Sequence, residues 1–240
     1  MKREHAFTDV DAQSDTKVWM RVLDKVRQEP LYAAYKQRTV ELLDPQPGSR
    51  YLEVGAGTGV DALAFAARFG ANVVATDSSI VMMEEARRRG LKDALDPVAA
   101  LGEMVRVVKP EGQIVVVDPD YDTQVVAVPD QELARRVLRF RSDFGLRNDR
   151  LAHQMGRLFV QAGLADVQVE AVPILLRDPT VLDTALGLRD WAAFAHEQGL
   201  IEADEVPAWE AALDEAAANG TFLYSLSLFI TAGRKPPRTP

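Results

Sequence analysis

Apolar residues recur along this 240-residue chain with a period that switches repeatedly between that of a helix and that of a strand. Val18, Val22, Leu23 and Val26 share one helical face over residues 15–28, with Asp15 placed to cap its start. A second helix is predicted over residues 31–43, ended by the turn cluster Asp44-Pro45-Gln46-Pro47-Gly48. Residues 50–54 then read as a short buried strand, 59–69 as an alanine-rich helix closed by Gly70, and 71–76 as a second strand ending at Asp77. A helix is predicted over 79–89, closed by Gly90, and Asp96-Pro97 marks another helix start. Leu101, Met104, Val105 and Val108 repeat at three-four spacing up to Pro110. The most apolar strand, 113–117, follows the Glu111-Gly112 turn and ends at Asp118.

The second half reads as helices over 130–141, 151–162, 181–198 and 206–219, with strands at 167–172 and 222–232. The residues from Gly233 onward are proline-rich and basic, and read as a loose tail. Strands alternating with helices predict an α/β fold, a mainly parallel sheet with helices on both faces. No internal repeat is present, and the length suits a single domain.

Composition narrows the function classes. An apolar fraction of 47% supplies a packed core. The net charge of -8, from 36 acidic and 28 basic residues, argues against a nucleic-acid binder or a membrane-surface binder as partner class. Arg87, Arg88 and Arg89 stand together, as expected of a solvated helix end. With no cysteine, disulfides and thiolate metal sites are absent, and His5, His153 and His196 show no metal-ligand spacing, so no metal site is expected. The charged start and the lack of an eighteen-residue apolar run suggest a cytoplasmic protein.

The chemistry concentrates at Glu53-Val54-Gly55-Ala56-Gly57-Thr58-Gly59, where a strand meets a helix. Glycines there allow a sharp turn and let a ligand lie against the main chain. A dinucleotide fingerprint needs glycine at the first, third and sixth places, and the sixth here is Val60. Glycine instead fills the first, third and fifth, after an acidic residue. This arrangement resembles motif I of the class I S-adenosylmethionine (SAM)-dependent methyltransferases, of the small-molecule type.

The resemblance implies a Rossmann-like sheet with an N-terminal helical lid and a helical insertion before the last strand. It implies SAM as cofactor, with Glu53 holding the SAM amino group and the loop Gly55, Ala56, Gly57, Thr58 and Gly59 passing beneath methionine and ribose. Asp77 matches the acidic residue that takes both ribose hydroxyls, which suits a carboxylate able to accept two hydrogen bonds. Ser78 and Met82 fall where the family packs adenine, although ordinary core packing would also explain Met82. The segment from Asp96 to Gly112 is similar to the family's helix, loop and fifth strand, with Glu111 where a second glycine is usual. Asp118-Pro119-Asp120-Tyr121 stands at the strand end that faces the substrate in small-molecule methyltransferases. Asp118, Asp120, Tyr121 and His153 are therefore the candidates for a general base. Tyr32, Tyr35 and Arg38 on the first lid are candidates to touch the SAM carboxylate.

One departure from the family matters. Only Leu91-Lys92-Asp93-Ala94-Leu95 stand where relatives have a third strand, a helix and a fourth strand, a unit of roughly thirty residues. A genuine deletion, an engineered shortening, or a sequence lacking part of the chain would each produce this. A true deletion would pair the 113–117 strand with the first strand, or leave a gap that a second copy fills in an exchanged homodimer.

The expected organisation is a single methyltransferase domain over 1–240. It comprises a lid (1–46), a SAM-binding core (47–121), substrate-side helices and last strands (122–232) and the tail (233–240). The expected activity is methyl transfer from SAM to oxygen, nitrogen or carbon of a small-molecule substrate. The alternatives are a degenerate relative that binds SAM or a partner without methylating, and an NAD(P)-dependent oxidoreductase.

Overall fold

The structure, a computed structural model, describes residues 20–21, 23–24, 27–28, 30–77, 100–145 and 151–237. The helix expected over 79–89, the Asp96-Pro97 start and the short connection between them lie outside the described residues. In chain order the elements are α1 (Pro30–Leu43), β1 (Arg50–Val54), α2 (Val60–Phe69), β2 (Asn72–Thr76), α3 (Ala100–Val107) and β3 (Gln113–Val126). They continue as α4 (Gln131–Phe140), a π-helical turn (Arg141–Gly145), α5 (Leu151–Gln161), β4 (Ala165–Leu176), α6 (Pro179–Leu186), α7 (Asp190–Glu197), α8 (Glu205–Ala218) and β5 (Tyr224–Arg234).

Most boundaries have local causes visible in the chain. The Asp130 carboxylate accepts hydrogen bonds from the Glu132 and Leu133 amides and starts α4. Asp178 caps α6 through the Thr180 amide, with Pro179 in the first turn. The helix expected over 181–198 is two helices, because Gly187 takes a left-handed conformation (φ 64°) and ends α6. β3 runs well past its expected end at Val117. Asp118, Pro119 and Asp120 are poor strand formers, yet they pair with Phe229, Leu228 and Ser227 of β5, so tertiary pairing overrides local preference.

The strands form two sheets. β1 and β2 pair in parallel, in register from Arg50–Asn72 to Val54–Thr76. The other sheet is antiparallel in the order β3-β5-β4. The α/β character and the helices on both faces are as expected, whereas parallel pairing among the described strands is confined to β1 and β2. The two-face cover follows from strand alternation on β4. Val167 joins the cluster under α5, and a side chain on Gly156 of α5 would approach Val169 to 3.1 Å. Glu170, of opposite parity, pairs at 2.6 Å with Arg38 of α1.

Pairing of the strand beginning at Gln113 with the first strand, one of the two outcomes expected of a true deletion, is not seen: among the described residues β1 pairs only with β2, and β3 only with β5. Ile114 and Val116 of β3 pack with Met155 and Phe159 of α5 and with Met104 and Val105 of α3, which holds β3 to its own helices. β1, β2 and α2 share a separate small cluster of Ala56, Ala62 and Ala75. The main core joins α4, α6, α7, α8 and β5 around Trp209, whose indole nitrogen donates to the Leu188 carbonyl at 3.1 Å. Among the described residues no helix is long and apolar enough to cross a membrane.

Glu111 departs from the family pattern and carries strain. Its φ is 64°, a left-handed conformation that disfavours any residue with a Cβ. Gly112 beside it has no room for a side chain, since a Cβ would lie 2.6 Å from Val108 Cγ2. Replacing Glu111 by glycine relieves the steric cost while adding some unfolded-state entropy. Glu111→Gly is expected to raise stability by roughly 0.5–1 kcal/mol in urea unfolding, and a loss of stability would show that the Glu111 side chain itself contributes.

Candidate functional site

The loop between β1 and α2 is shaped by three glycines with positive φ: Gly55 at 73°, Gly57 at 53° and Gly59 at 71°. These values let the chain leave β1, double back and enter α2 within five residues. The Ala56 amide donates to the Thr76 carbonyl at 2.8 Å, and the Thr76 hydroxyl donates to the Glu53 carbonyl at 3.1 Å. The Gly57 amide donates to the Asp77 carboxylate at 2.7 Å. Glu53, the glycine loop and Asp77, far apart in sequence, thus form one unit at the carboxyl ends of two parallel strands, where open α/β sheets bind ligands. Thr58 is fully buried beneath the loop.

Glu53 is held in an unusual state. Burial pushes its carboxyl up to about 7, with Asp61 and Asp77 adding repulsion and Lys36 and Arg27 opposing it. Lys36 Nζ of α1 lies 2.6 Å from the Asp61 carboxylate of α2, and Arg27 reaches the same carboxylate at 3.4 Å. The Arg27 Nε and Nη1 are buried and have no hydrogen-bond partner. Lys36 also stands over the rings of Tyr32 (5.4 Å) and Tyr35 (5.1 Å), which meet edge to face.

A cleft of about 2530 Å³ opens beside this unit. It is several times the roughly 300–1,000 Å³ that a small-molecule site takes. Glu53, Gly55, Ala56, Gly57 and Thr58 line one end, together with Arg27 and Lys36, and residues 114–117 of β3 line the far side. Residues of both β1 and β3, which are not paired with each other among the described residues, line it. Leu52 of β1 is 37% exposed and Val74 of β2 42% exposed, a large exposure for a strand pair in a sheet interior.

The other predicted residues distribute as follows. Ser78 and Met82 lie outside the described residues. Tyr32 and Tyr35 line the cleft, but Arg38 does not; its guanidinium is engaged by Glu170 and Glu41. Of the cations that line the cleft, Arg27 and Lys36 are the ones whose charge acts on Glu53, and neither has an assigned role in the sequence. Only tertiary packing brings them to Glu53 and Asp61. Asp118, Asp120, Tyr121 and His153 lie outside the cleft wall, which Pro119 does reach; Asp120 meets His153, whereas Tyr121 turns toward Arg141 and the main core. Burial pushes Asp118 up to about 6, against the Ala152 amide that donates to it. The Tyr121 hydroxyl is raised by burial, and the Arg141 guanidinium lies 4.9 Å above its ring and 4.1 Å above that of Trp191. His153 Nε2 stands 2.9 Å from Asp120 Oδ2.

No protein-family profile matches the chain. The chain is 29% identical over 248 residues to an uncharacterized 37.1 kDa protein in transposon TN4556 of Streptomyces fradiae, covering 90% of this chain and 71% of that one. It is 32% identical over 113 residues to the demethylmenaquinone methyltransferase of Clavibacter sepedonicus, covering 34% of this chain and 46% of the enzyme. The match to the Corynebacterium kroppenstedtii enzyme of the same name is 31% over 120 residues, 39% of this chain and 51% of that one. The matched region thus spans about half the length of those two enzymes. In the Clavibacter alignment 34% of 240 residues is about 82, against an aligned length of 113, so about thirty residues of the relative have no counterpart here, the size of a βαβ unit. Among solved structures, the YcgJ protein of Bacillus subtilis superposes with a TM-score of 0.51 at 18% identity, covering 85% of this chain and 98% of that one. An Anabaena variabilis protein assigned as an antibiotic-pathway methyltransferase superposes at 0.50 and 20% identity, with coverages of 83% and 96%. These likenesses establish the fold.

The state of Glu53 has a consequence for stability. Its folded-state value lies above its unfolded one, so its contribution is fully present below about pH 4.5 and is lost as pH rises through about 7. Glu53→Gln is expected to unfold close to the wild type at pH 5 and to be more stable at pH 8, by on the order of 3 kcal/mol. Parallel stability curves across that range would mean that the folded protein does not raise this carboxyl.

Proposed function

We propose that this chain, which has the fold of the class I SAM-dependent methyltransferases, binds SAM at the Glu53–Asp77 unit and transfers its methyl group to a small-molecule acceptor. The observation that carries the reading is the glycine loop drawn onto the Asp77 carboxylate at the ends of β1 and β2. In this reading the loop backbone lies under the methionine and ribose of SAM, and Asp77 receives the ribose hydroxyls. Glu53 faces the SAM ammonium, whose charge favours the ionised carboxylate that burial disfavours. Arg27, with two buried N–H groups lacking hydrogen bonds, and Lys36 receive the SAM carboxylate from the lid side. The demethylmenaquinone methyltransferases that match part of the chain support this cofactor.

Methyl transfer is an in-line displacement: the acceptor's lone pair forms the new bond to carbon as the carbon–sulfur bond breaks, and its electrons return to sulfur. The protein's contribution is positioning and exclusion of water. A base is needed only where the acceptor keeps its proton, and Asp118, Tyr121 and His153 near the end of β3 are the side chains to test. Pro119 carries that strand end to the cleft wall, so the acceptor enters from the β3 side.

A second reading, a scaffold that binds SAM or a partner without methylating, is favoured by the open space between β1 and β3. A site without a complete wall holds its ligand less firmly and admits water.

Calorimetric titration with SAM and with NAD is the direct test. SAM is expected to bind and NAD not to; absence of SAM binding would overturn the reading, as would tight NAD binding. Asp77→Ala should weaken SAM at least tenfold, about 1.4 kcal/mol. Asp77→Asn, which keeps an oxygen for the Gly57 amide, separates support of the loop from recognition of the diol. Release of S-adenosylhomocysteine with a panel of small acceptors distinguishes the enzyme from the scaffold.

A further inference from the structure

The geometry points to a binding site for a divalent first-row transition-metal ion, formed by Asp120 and Asp122 of β3 and His153 of α5. One ligand atom from each residue lies within 4.8 Å of the others. None of the three lines the cleft assigned to SAM, so the site is separate from the cofactor site.

The Asp120 side chain is 1% exposed, and its Oδ2 is buried without a hydrogen-bond partner. A carboxylate removed from water this far is costly unless a cation meets it. Its other oxygen accepts the Asp122 amide at 3.1 Å, and the Asp122 carboxylate supplies an oxygen to the same cluster.

His153 Nε2 stands 2.9 Å from Asp120 Oδ2, yet that oxygen accepts no hydrogen bond, so the two atoms approach outside hydrogen-bond geometry. Two neighbouring ligands, each about 2.1 Å from an octahedral metal, stand about 3 Å apart, with both lone pairs aimed at the ion. Imidazole nitrogen with two carboxylate oxygens is a donor set that suits zinc or manganese, whereas calcium and magnesium favour oxygen alone.

The backbone around the three residues holds the group in place. The pairing of β3 with β5 shifts register between Asp120 and Val125, an irregularity of the kind that re-aims side chains. The Thr123 hydroxyl donates to the Asp120 carbonyl at 2.7 Å and accepts from the Ser227 amide at 2.8 Å, which pins the displaced turn to β5. The His153 ring packs 5.9 Å from that of Phe229, which fixes its orientation. Asp118, two residues back along β3, has the Ala152 amide donating to it and is not counted as a ligand. An ion at this point ties the end of β3 to the first turn of α5 and neutralises the buried charge.

The test uses the full chain, free of any tag, stripped of metal with a chelator and titrated with Co²⁺ alone. A visible absorption band saturating at one equivalent is expected, displaced by Zn²⁺. His153→Gln and Asp120→Asn should each weaken Co²⁺ at least tenfold, with the far-ultraviolet dichroism of the wild type retained. His153 is 39% exposed, so its replacement leaves the core undisturbed. Absence of the band at millimolar Co²⁺ would overturn the proposal. So would a band that survives unchanged in folded His153→Gln, because the ion would then lie elsewhere. The titration contains no SAM, so its outcome is independent of whether the cleft binds that cofactor.

Discussion

A single short hydrogen bond, from the Gly57 amide to the Asp77 carboxylate, organises the glycine loop at the ends of β1 and β2. Parallel pairing of β1 and β2 brings the two strand ends level, but pairing alone does not shape a ligand loop. The carboxylate accepts an amide that the tight turn leaves without a backbone partner, and so holds the loop in its doubled-back path. Because the donor meets an ionised group, the bond is stronger than a neutral one. Glu53, half-buried at the end of β1, has its carboxyl raised by desolvation.

The surrounding architecture is less continuous. Three apolar clusters take the place of one: a small alanine group under β1 and β2, a layer between β3, α3 and α5, and the main core around Trp209 and Tyr224. Each sheet satisfies its own strands, and the edges of β1 and β3 face a shared cleft. Strand edges with open backbone groups are normally paired or covered. The alignment shortfall of about thirty residues against the Clavibacter enzyme has the size of the unit that would do this. Contacts across the divide run through α1 instead, where Arg38 reaches Glu170 of β4 and Lys36 reaches Asp61 of α2. These ion pairs are partly exposed and contribute modestly to stability. They nevertheless set which cations stand at the cleft and which do not.

The end of β3 shows how an irregular strand concentrates polar groups. A regular strand would send Asp118, Asp120 and Asp122 along one face at even spacing. The register shift after Asp120 brings Asp122 back onto it, and α5 delivers His153 to the same point. The neighbouring Tyr121 points into a different environment, under Arg141 and beside the main core. One stretch of chain thus serves both an acidic cluster and the packing of the main core.

Much of the molecule was legible in the chain because its causes are local. Glycine at 55, 57 and 59 allows only a few backbone paths, Asp130 and Asp178 cap the helices that follow them, and Gly70 ends α2 as read from its position. The strand-loop-helix unit around Glu53 followed from spacing, and Asp77 was singled out by the family resemblance. Partnerships over long separations were not legible. Arg38 and Lys36 are two residues apart on α1, and nothing in their sequence says that one meets Glu170 and the other the cleft. That depends on which face α1 turns to β4. The extension of β3 through Asp118 and Pro119 needed β5, more than a hundred residues later, to supply its hydrogen bonds. That β3 pairs with β5 and, among the described residues, not with β1 was likewise written in no local stretch of the chain. Local conformational preference is encoded within a few residues, whereas the choice among possible partners is made only when the whole chain packs.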